Sequence, residues 1–158
     1  GILTARSKGF PVELLPYLEK GRSSAEQCLS GLISSRGVEL LILAGFMRIL
    51  SPDFVSAHSG RIINIHPSLL PSFPGTHGIR DAWDYGVKVT GVTVHLVDEE
   101  VDHGPILAQE AVHIERSDTL ETLEEKIHRV EHDLYWRSIQ AFIQEKNKII
   151  NGRRTSVE

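Results

Sequence analysis

The amino-acid sequence predicts an α/β fold with a doubly wound, mostly parallel sheet. The continuously apolar run Leu40–Ala44 is typical of a strand buried on both faces of a parallel sheet, and Arg61–Ile65 is predicted to be the next run of buried strand. Segments with helical spacing of apolar residues alternate with these runs, as strand–helix units require. A binding site in such a fold lies at the carboxyl ends of the strands.

The first forty residues are predicted to contain two helices and one short strand. A fragment of helix ends near Gly9, and Pro11–Leu15 is predicted to be the strand. Ser23 or Ser24 can cap a helix that extends to about Ser35. The chain therefore opens within a helix, and the strand that would complete a first βαβ unit is missing from the pattern.

The central part is predicted to hold a short helix, a structured loop, a second helix and two paired strands. Three prolines and two glycines exclude regular structure from the loop. In chain order these elements are the helix Pro52–His58 capped by Ser51, the loop Pro67–Gly78, the helix Ile79–Tyr85 and the strands Val89–Val97 and Ile106–Val112.

A long amphipathic helix is predicted to follow, capped within the segment Ser117–Thr119. After Lys148, the segment Ile149–Gly152 is predicted to form a short strand and turn before a disordered end. The apolar face of the helix comprises Leu120, Leu123, Ile127, Val130, Leu134 and Ile139.

Bulk properties exclude several classes of protein. A net charge of -4 over 158 residues does not suit nucleic-acid binding, which requires a basic surface. The single cysteine, Cys28, excludes an internal disulfide and a cysteine-based zinc cluster. The longest apolar run, Leu40–Met47, is far shorter than the roughly 20 residues of a membrane span, and no signal peptide is visible. These properties predict a soluble, cytoplasmic protein of one domain, with no nucleic-acid or membrane partner.

Three polar residues form the most informative pattern. Asn64 and His66 end a predicted strand, and Asp102 follows a later one. An amide donor, a titratable imidazole and a carboxylate are the groups that acyl transfer needs: one for the developing oxyanion, one to carry a proton and one to orient the carrier. The pattern predicts a transferase active site.

The chain resembles the folate-dependent formyltransferases, and most closely the phosphoribosylglycinamide formyltransferases among them. Three segments carry the resemblance, Leu43–Pro52, Asn64–Pro71 and Asp98–Pro105, and it extends from about Ala5 to about Phe142. It implies the formyltransferase fold and transfer of a formyl group from 10-formyltetrahydrofolate to the amine of glycinamide ribonucleotide. A weak homodimer is a further expectation.

The resemblance also implies residue roles. Asn64 would donate to the oxyanion, His66 would carry the proton, and Asp102 would hold the imidazole or organise a shared water. Gly104 would give the loop of Asp102 its freedom. The residues assigned to folate binding are Arg22, Met47, Arg48, Ile49, Leu50, Val97, Asp98 and Val101, and those assigned to the ribonucleotide are Pro67, His128 and Glu131.

The family begins with a strand and a phosphate-binding loop that have no counterpart in this sequence. Residues 1–158 are therefore expected to be a formyltransferase domain truncated at its amino terminus. The alternatives left open are a formyltetrahydrofolate deformylase, which needs no ribose acceptor such as Glu131, and an inactive folate-binding fragment. A methionyl-tRNA formyltransferase is least favoured because the chain is acidic. No metal is expected: His128 and His132 have ligand spacing, but the glutamate of a His-Glu-x-x-His motif is replaced by Arg129.

Overall fold

The computed structural model describes the backbone of residues 2–154 and the side chains of residues 2–146. The chain forms two compact units, Gly1–Glu39 and Leu40–Glu158.

The first unit contains two helices, α1 (Ile2–Ser7) and α2 (Tyr17–Ser35). The expected helical fragment is confirmed, but the strand predicted over Pro11–Leu15 is wrong, because the described part of this unit offers no second strand to pair with it. Helix α2 begins earlier than the predicted serine caps. Gly21 interrupts it with a φ of 75°, so its regular part starts close to them.

A four-stranded sheet forms the centre of the second unit. Its strands lie in the order β1 (Leu41–Ile42), β2 (Ile62–His66), β3 (Val89–Leu96) and β4 (Ile106–His113). The α/β class is confirmed. Strands β1 and β2 pair in parallel, whereas β3 is antiparallel to both β2 and β4. The expectation of mostly parallel pairing therefore holds only for β1 and β2 in the described sheet.

Connection lengths explain this difference. Only nine residues, 97–105, join β3 to β4, and a parallel pair would need a crossover of a dozen or more. Strand β1 is also shorter than predicted, and Ile42 is exposed rather than buried on both faces. Among the described strands β1 has one neighbour, β2, which makes it an edge strand.

The two short helices of this unit are confirmed. Helix α3 (Pro52–Ala57) begins where the hydroxyl of Ser51 accepts a hydrogen bond from the amide of Phe54, at 3.2 Å. Helix α4 (Gly78–Tyr85) ends at Gly86, whose φ of 82° suits a residue without a side chain.

Helix α5 (Leu120–Arg154) covers β2, β3 and β4. The Thr119 hydroxyl caps it by accepting a hydrogen bond from the amide of Thr122, at 3.3 Å. The predicted strand at Ile149–Gly152 is wrong, because no proline interrupts the helical sequence there and α5 continues through it. The predicted disordered end falls on residues 155–158, outside the described residues. The buried core comprises Ile63, Val92, Val94, Val112, Leu123, Ile127 and Leu134.

The hydroxyl of Tyr135 joins α5 to Leu43, which follows β1, and to Ile63 in β2. It lies 2.6 Å from the carbonyl oxygen of Leu43 and 2.9 Å from that of Ile63. Burial raises the pKa of Tyr135, and the hydrogen bond to Leu43 opposes that rise. The hydroxyl therefore keeps its one proton, which it shares between these two carbonyl oxygens.

Tyr135→Phe is expected to lower the free energy of unfolding by about 1–2 kcal/mol, because the buried carbonyls lose a donor. Urea denaturation followed by circular dichroism measures the change. Tyr85→Phe is the matched control, since the Tyr85 side chain is 80% exposed. Equal losses of unfolding free energy in both variants would contradict the stabilising role given to the Tyr135 hydroxyl.

Candidate active site

Asn64 and His66 lie two residues apart on β2 and therefore point to the same face of the sheet. Ile63 and Ile65, at the alternate positions of the strand, belong to the core that includes residues of α5 or pack against it. The two polar side chains thus face away from that core. The strand delivers them together to its carboxyl end, where the sequence predicts the site.

His95 on β3 lies directly opposite Asn64 in the sheet. The Nδ1 atom of His95 is 2.8 Å from the carbonyl oxygen of Leu96, which can only accept, so Nδ1 carries the ring proton. In the neutral ring Nε2 is then an acceptor, and it lies 3.3 Å from Nδ2 of Asn64. This contact fixes the Asn64 amide and leaves its second N–H group available.

The ring of His66 is buried and contacts an acceptor on each side. Nε2 donates to the carbonyl oxygen of Phe73 at 2.9 Å. Nδ1 lies 3.5 Å from Oδ2 of Asp102, which is within ion-pair distance but longer than a direct hydrogen bond. The ring orientation is therefore set by a backbone carbonyl on one side, with a carboxylate facing the other.

Asp102 completes the set from the connection between β3 and β4. Its Oδ2 accepts a hydrogen bond from the amide of Gly75 at 2.7 Å, and its Oδ1 lies 3.8 Å from Nε2 of His95. Its backbone has a φ of 53°, in the left-handed region. The structure thus brings together all three residues that the sequence assigns to catalysis.

Gly104 was expected to make the Asp102 loop flexible, but the structure gives it a different role. It is buried and its φ is not in the left-handed region, so conformational freedom does not explain it. A Cβ atom at this position would lie 1.9 Å from the carbonyl oxygen of Leu96. The glycine is needed because the two backbones approach closely, which holds the Asp102 loop against the end of β3.

The residues assigned to folate lie in three places, and their role stays a prediction. Met47, Arg48 and Ile49 are exposed in the segment that follows β1, and Leu50 beside them is buried. Val97 and Asp98 are half-buried at the end of β3, and Val101 is exposed in the Asp102 loop. Arg22 lies in the first unit, exposed on α2.

The residues assigned to the ribonucleotide lie beside His66 and on α5. Pro67 follows His66 and is half-buried. The side chain of Glu131 is 20% exposed, and its Oε2 lies 3.8 Å from Nε2 of the exposed His128. Burial raises the pKa of Glu131, while His128, His132 and His66 act in the opposite direction.

Sequence reasoning missed His95. The sequence analysis assigns His95 no role beyond its place in the predicted strand Val89–Val97. The antiparallel register that sets His95 opposite Asn64 could have indicated it, because cross-strand partners on one face contact each other.

The described residues show neither a metal-binding cluster nor a membrane-spanning helix. Within residues 2–146, no cluster of three or more histidine, cysteine or acidic side chains is arranged to hold a metal ion. None of the described helices combines the length and the apolar character that crossing a bilayer requires.

A family profile, sequence relatives and a solved structure all relate this chain to formyltransferases. The profile of the family described as "Formyl transferase" matches residues 1–139. A phosphoribosylglycinamide formyltransferase of Bacillus subtilis is 44% identical over 133 residues, which are 84% of this chain and 68% of that protein. The enzyme of that name from Mycobacterium tuberculosis is 48% identical over 132 residues, 84% of this chain and 60% of that protein.

The same enzyme name is found for a solved structure with a similar fold. The crystal structure of phosphoribosylglycinamide formyltransferase from Bacillus halodurans superposes with a TM-score of 0.87 at 43% identity, covering 93% of this chain and 76% of that one. The chain thus spans about two thirds of the length of these bacterial relatives.

Proposed function

The chain belongs to the formyl transferase family, and we propose that it transfers the formyl group of 10-formyltetrahydrofolate to the amine of 5'-phosphoribosylglycinamide. The observation that carries this proposal is the convergence of Asn64, His66 and Asp102 at the end of β2. The names of the relatives, phosphoribosylglycinamide formyltransferases, support the choice of reaction.

The first step forms a bond between the amine nitrogen and the formyl carbon. The formyl oxygen becomes an oxyanion, and the attacking nitrogen becomes positively charged. The free N–H group of Asn64 is the donor suited to the oxyanion, because the amide is already oriented by His95 at 3.3 Å. Removing one such donor typically costs about 10²–10³-fold in rate.

The second step moves a proton and breaks the bond to the folate. The attacking nitrogen loses a proton, the N10 nitrogen of the folate gains one, and the bond between the formyl carbon and N10 breaks. The Nδ1 atom of His66 carries this proton, since Nε2 is engaged by Phe73. Asp102, 3.5 Å away, stabilises the imidazolium that forms.

We propose that the expected folate residues offer apolar surface to the cosubstrate. Met47 is 76% exposed and Ile49 is 63% exposed, so both side chains are accessible for contact with a flat aromatic ligand. A cytoplasmic location and a weak homodimer remain predictions that accompany this proposal.

Glu131 is proposed to accept a hydrogen bond from a ribose hydroxyl. Its pKa is raised from 4.5, chiefly by burial. The stability associated with its protonated form is fully present below pH 4.5 and is lost as the pH rises through the raised pKa. At neutral pH the charged, half-buried Glu131 therefore lowers the free energy of unfolding. A role as hydrogen-bond acceptor for the substrate would explain why a destabilising residue is present.

Glu131→Gln is expected to raise the melting temperature at neutral pH relative to the unaltered chain, and the gain should vanish in acid. The KM for the ribonucleotide should rise about 10-fold, because a charged acceptor is lost. Calorimetry across this pH range and steady-state kinetics measure the two effects. Glu125→Gln, an exposed position on the same helix, should change neither. A fall in the melting temperature of Glu131→Gln at neutral pH would refute the stated cost.

The decisive experiment follows tetrahydrofolate release with and without the ribonucleotide and identifies the formyl product. We expect turnover that depends on the amine, with formylated ribonucleotide as product. Release of formate without the amine would instead indicate a deformylase. Absence of turnover, with folate still bound, would indicate an inactive folate-binding fragment.

A further inference from the structure

We propose that Ser68 and Thr93 are positioning residues that fix the ring of His66 with Nδ1 toward the reacting atoms, acting through the carbonyl group of Phe73. This inference rests on the proposed function, because it assigns the working nitrogen of the proposed proton carrier. Neither residue touches the reacting atoms in this scheme. Both act on the loop that follows His66.

The carbonyl oxygen of Phe73 is the point of contact with the ring. It accepts a hydrogen bond from Nε2 of His66 at 2.9 Å and lies 3.3 Å from the hydroxyl of Ser68. The same hydroxyl donates to the carbonyl oxygen of Ser72 at 2.5 Å. Phe73 has a φ of 53°, an unfavourable conformation for a bulky residue that persists only when its surroundings hold it. Ser68, which is fully buried, supplies that hold.

Thr93 on β3 secures the other end of the same loop. Its hydroxyl donates to the carbonyl oxygen of Ser68 at 2.7 Å. It also accepts from the amide of Leu70 at 3.0 Å and from Nε2 of Gln109 at 2.9 Å. One donor and two acceptor sites are all that a hydroxyl possesses, so Thr93 is completely engaged. It ties the backbone of Ser68 and Leu70 to the sheet.

Gly78 closes the Nε2 side of the ring. A Cβ atom built at Gly78 would lie 3.1 Å from Nε2 of His66 and 3.2 Å from the carbonyl oxygen of Phe73. The start of α4 thus packs onto this hydrogen bond and leaves no space there for a substrate. Only Nδ1, on the side of Asp102, remains to exchange a proton.

A consequence for the tautomer follows. A carbonyl oxygen can only accept, so Nε2 keeps its proton and the neutral ring exposes a free lone pair at Nδ1. When the Phe73 carbonyl loses its support, this preference weakens. The ring then spends part of its time with the proton on Nδ1, where it cannot take the proton of the amine.

The test compares Ser68→Ala and Thr93→Val with the unaltered chain. Each is expected to lower kcat about 10-fold, the effect of one lost hydrogen bond, with little change in the KM of either substrate. The ¹⁵N chemical shifts of the His66 ring should change from a single Nε2-protonated form to a mixture of tautomers. Thr93→Ser, which keeps the hydroxyl, should restore both kcat and the single form.

Thr90 offers a matched control on the same strand. It is buried like Thr93, but its hydroxyl has no hydrogen-bond partner among the described residues. Thr90→Val makes the same chemical change as Thr93→Val without touching the loop. It should leave kcat and the His66 tautomer unaltered.

Unchanged kcat and an unchanged tautomer in Ser68→Ala and Thr93→Val would overturn the inference while leaving the proposed function intact. Absence of formyl transfer by the unaltered chain would overturn the proposed function, and the ring shifts would still decide the tautomer question. If Thr93→Val fails to fold, Ser68→Ala alone is sufficient to test the inference.

Discussion

In His66→Ala, kcat for formyl transfer is expected to fall by about 10²–10⁴-fold, the contribution of a positioned proton carrier. The loss follows from geometry: Nδ1 of His66 lies 3.5 Å from Oδ2 of Asp102, whereas Nε2 of the same ring is engaged by the carbonyl oxygen of Phe73. A water molecule that replaced the ring would lack both the orientation imposed by Phe73 and the charge stabilisation from Asp102.

Folate binding separates this role from a structural one. The residues expected to contact the folate follow β1, lie at the end of β3 and in the Asp102 loop, or, for Arg22, lie on α2. His66→Ala should therefore leave the dissociation constant of the folate within a few-fold of its original value. Fluorescence titration with a folate analogue measures it, and steady-state assays measure kcat. His113→Ala, at an exposed position of β4, is the control for loss of a histidine.

The assignment would not survive a parallel loss of folate binding and rate. It would also fail if His66→Ala kept kcat within a factor of a few, as expected of a buried histidine that only packs.

Much of this site could be predicted from the sequence because its chemistry is local. Asn64 and His66 share a strand, and the alternation of side chains places them on one face whichever strand pairs with it. The caps at Ser51 and Thr119 are equally local, since each side chain bonds an amide three residues later. Such features depend on neighbours along the chain.

Features that depend on residues distant in the sequence could not be predicted from the sequence pattern. An apolar run does not state the direction of the strand beside it, so β3 was not recognised as antiparallel to β2, and His95 was missed. The extended segment Pro11–Leu15 resembles a strand in composition, but a strand exists only with a partner. Gly104 was interpreted as a flexible residue, whereas a contact with Leu96, eight residues away, determines it. Tertiary context decided each of these cases.

The sheet arrangement also shows why the catalytic set can be dense. Because β3 runs antiparallel to β2, its carboxyl end returns toward the start of β2, and His95 meets Asn64 across the pair. The connection that leaves β3 then crosses back to His66, carrying Asp102 to within 3.5 Å of the ring.

Asp102→Asn is expected to lower kcat by about 10²–10³-fold, because the imidazolium that forms on His66 loses its counter-charge. The change is nearly isosteric, and one amide-group oxygen can still accept the hydrogen bond of Gly75, found at 2.7 Å. The loop should therefore keep its conformation, and the free energy of unfolding should change by less than about 1 kcal/mol. Rate and fold are thus separable at this position.

Steady-state kinetics and urea denaturation of Asp102→Asn measure the two quantities. Glu99→Gln removes the same charge from the same loop, at an exposed side chain, and should retain nearly full kcat. If both variants lost rate equally, the general negative charge of the loop would be responsible and not the contact with His66. If the Asp102 carboxylate is paired with the proton carrier, the loss of kcat should be confined to Asp102→Asn, and its unfolding midpoint should be unaltered. The reason is that the other acceptor facing the His66 ring is the neutral carbonyl of Phe73, on the opposite side.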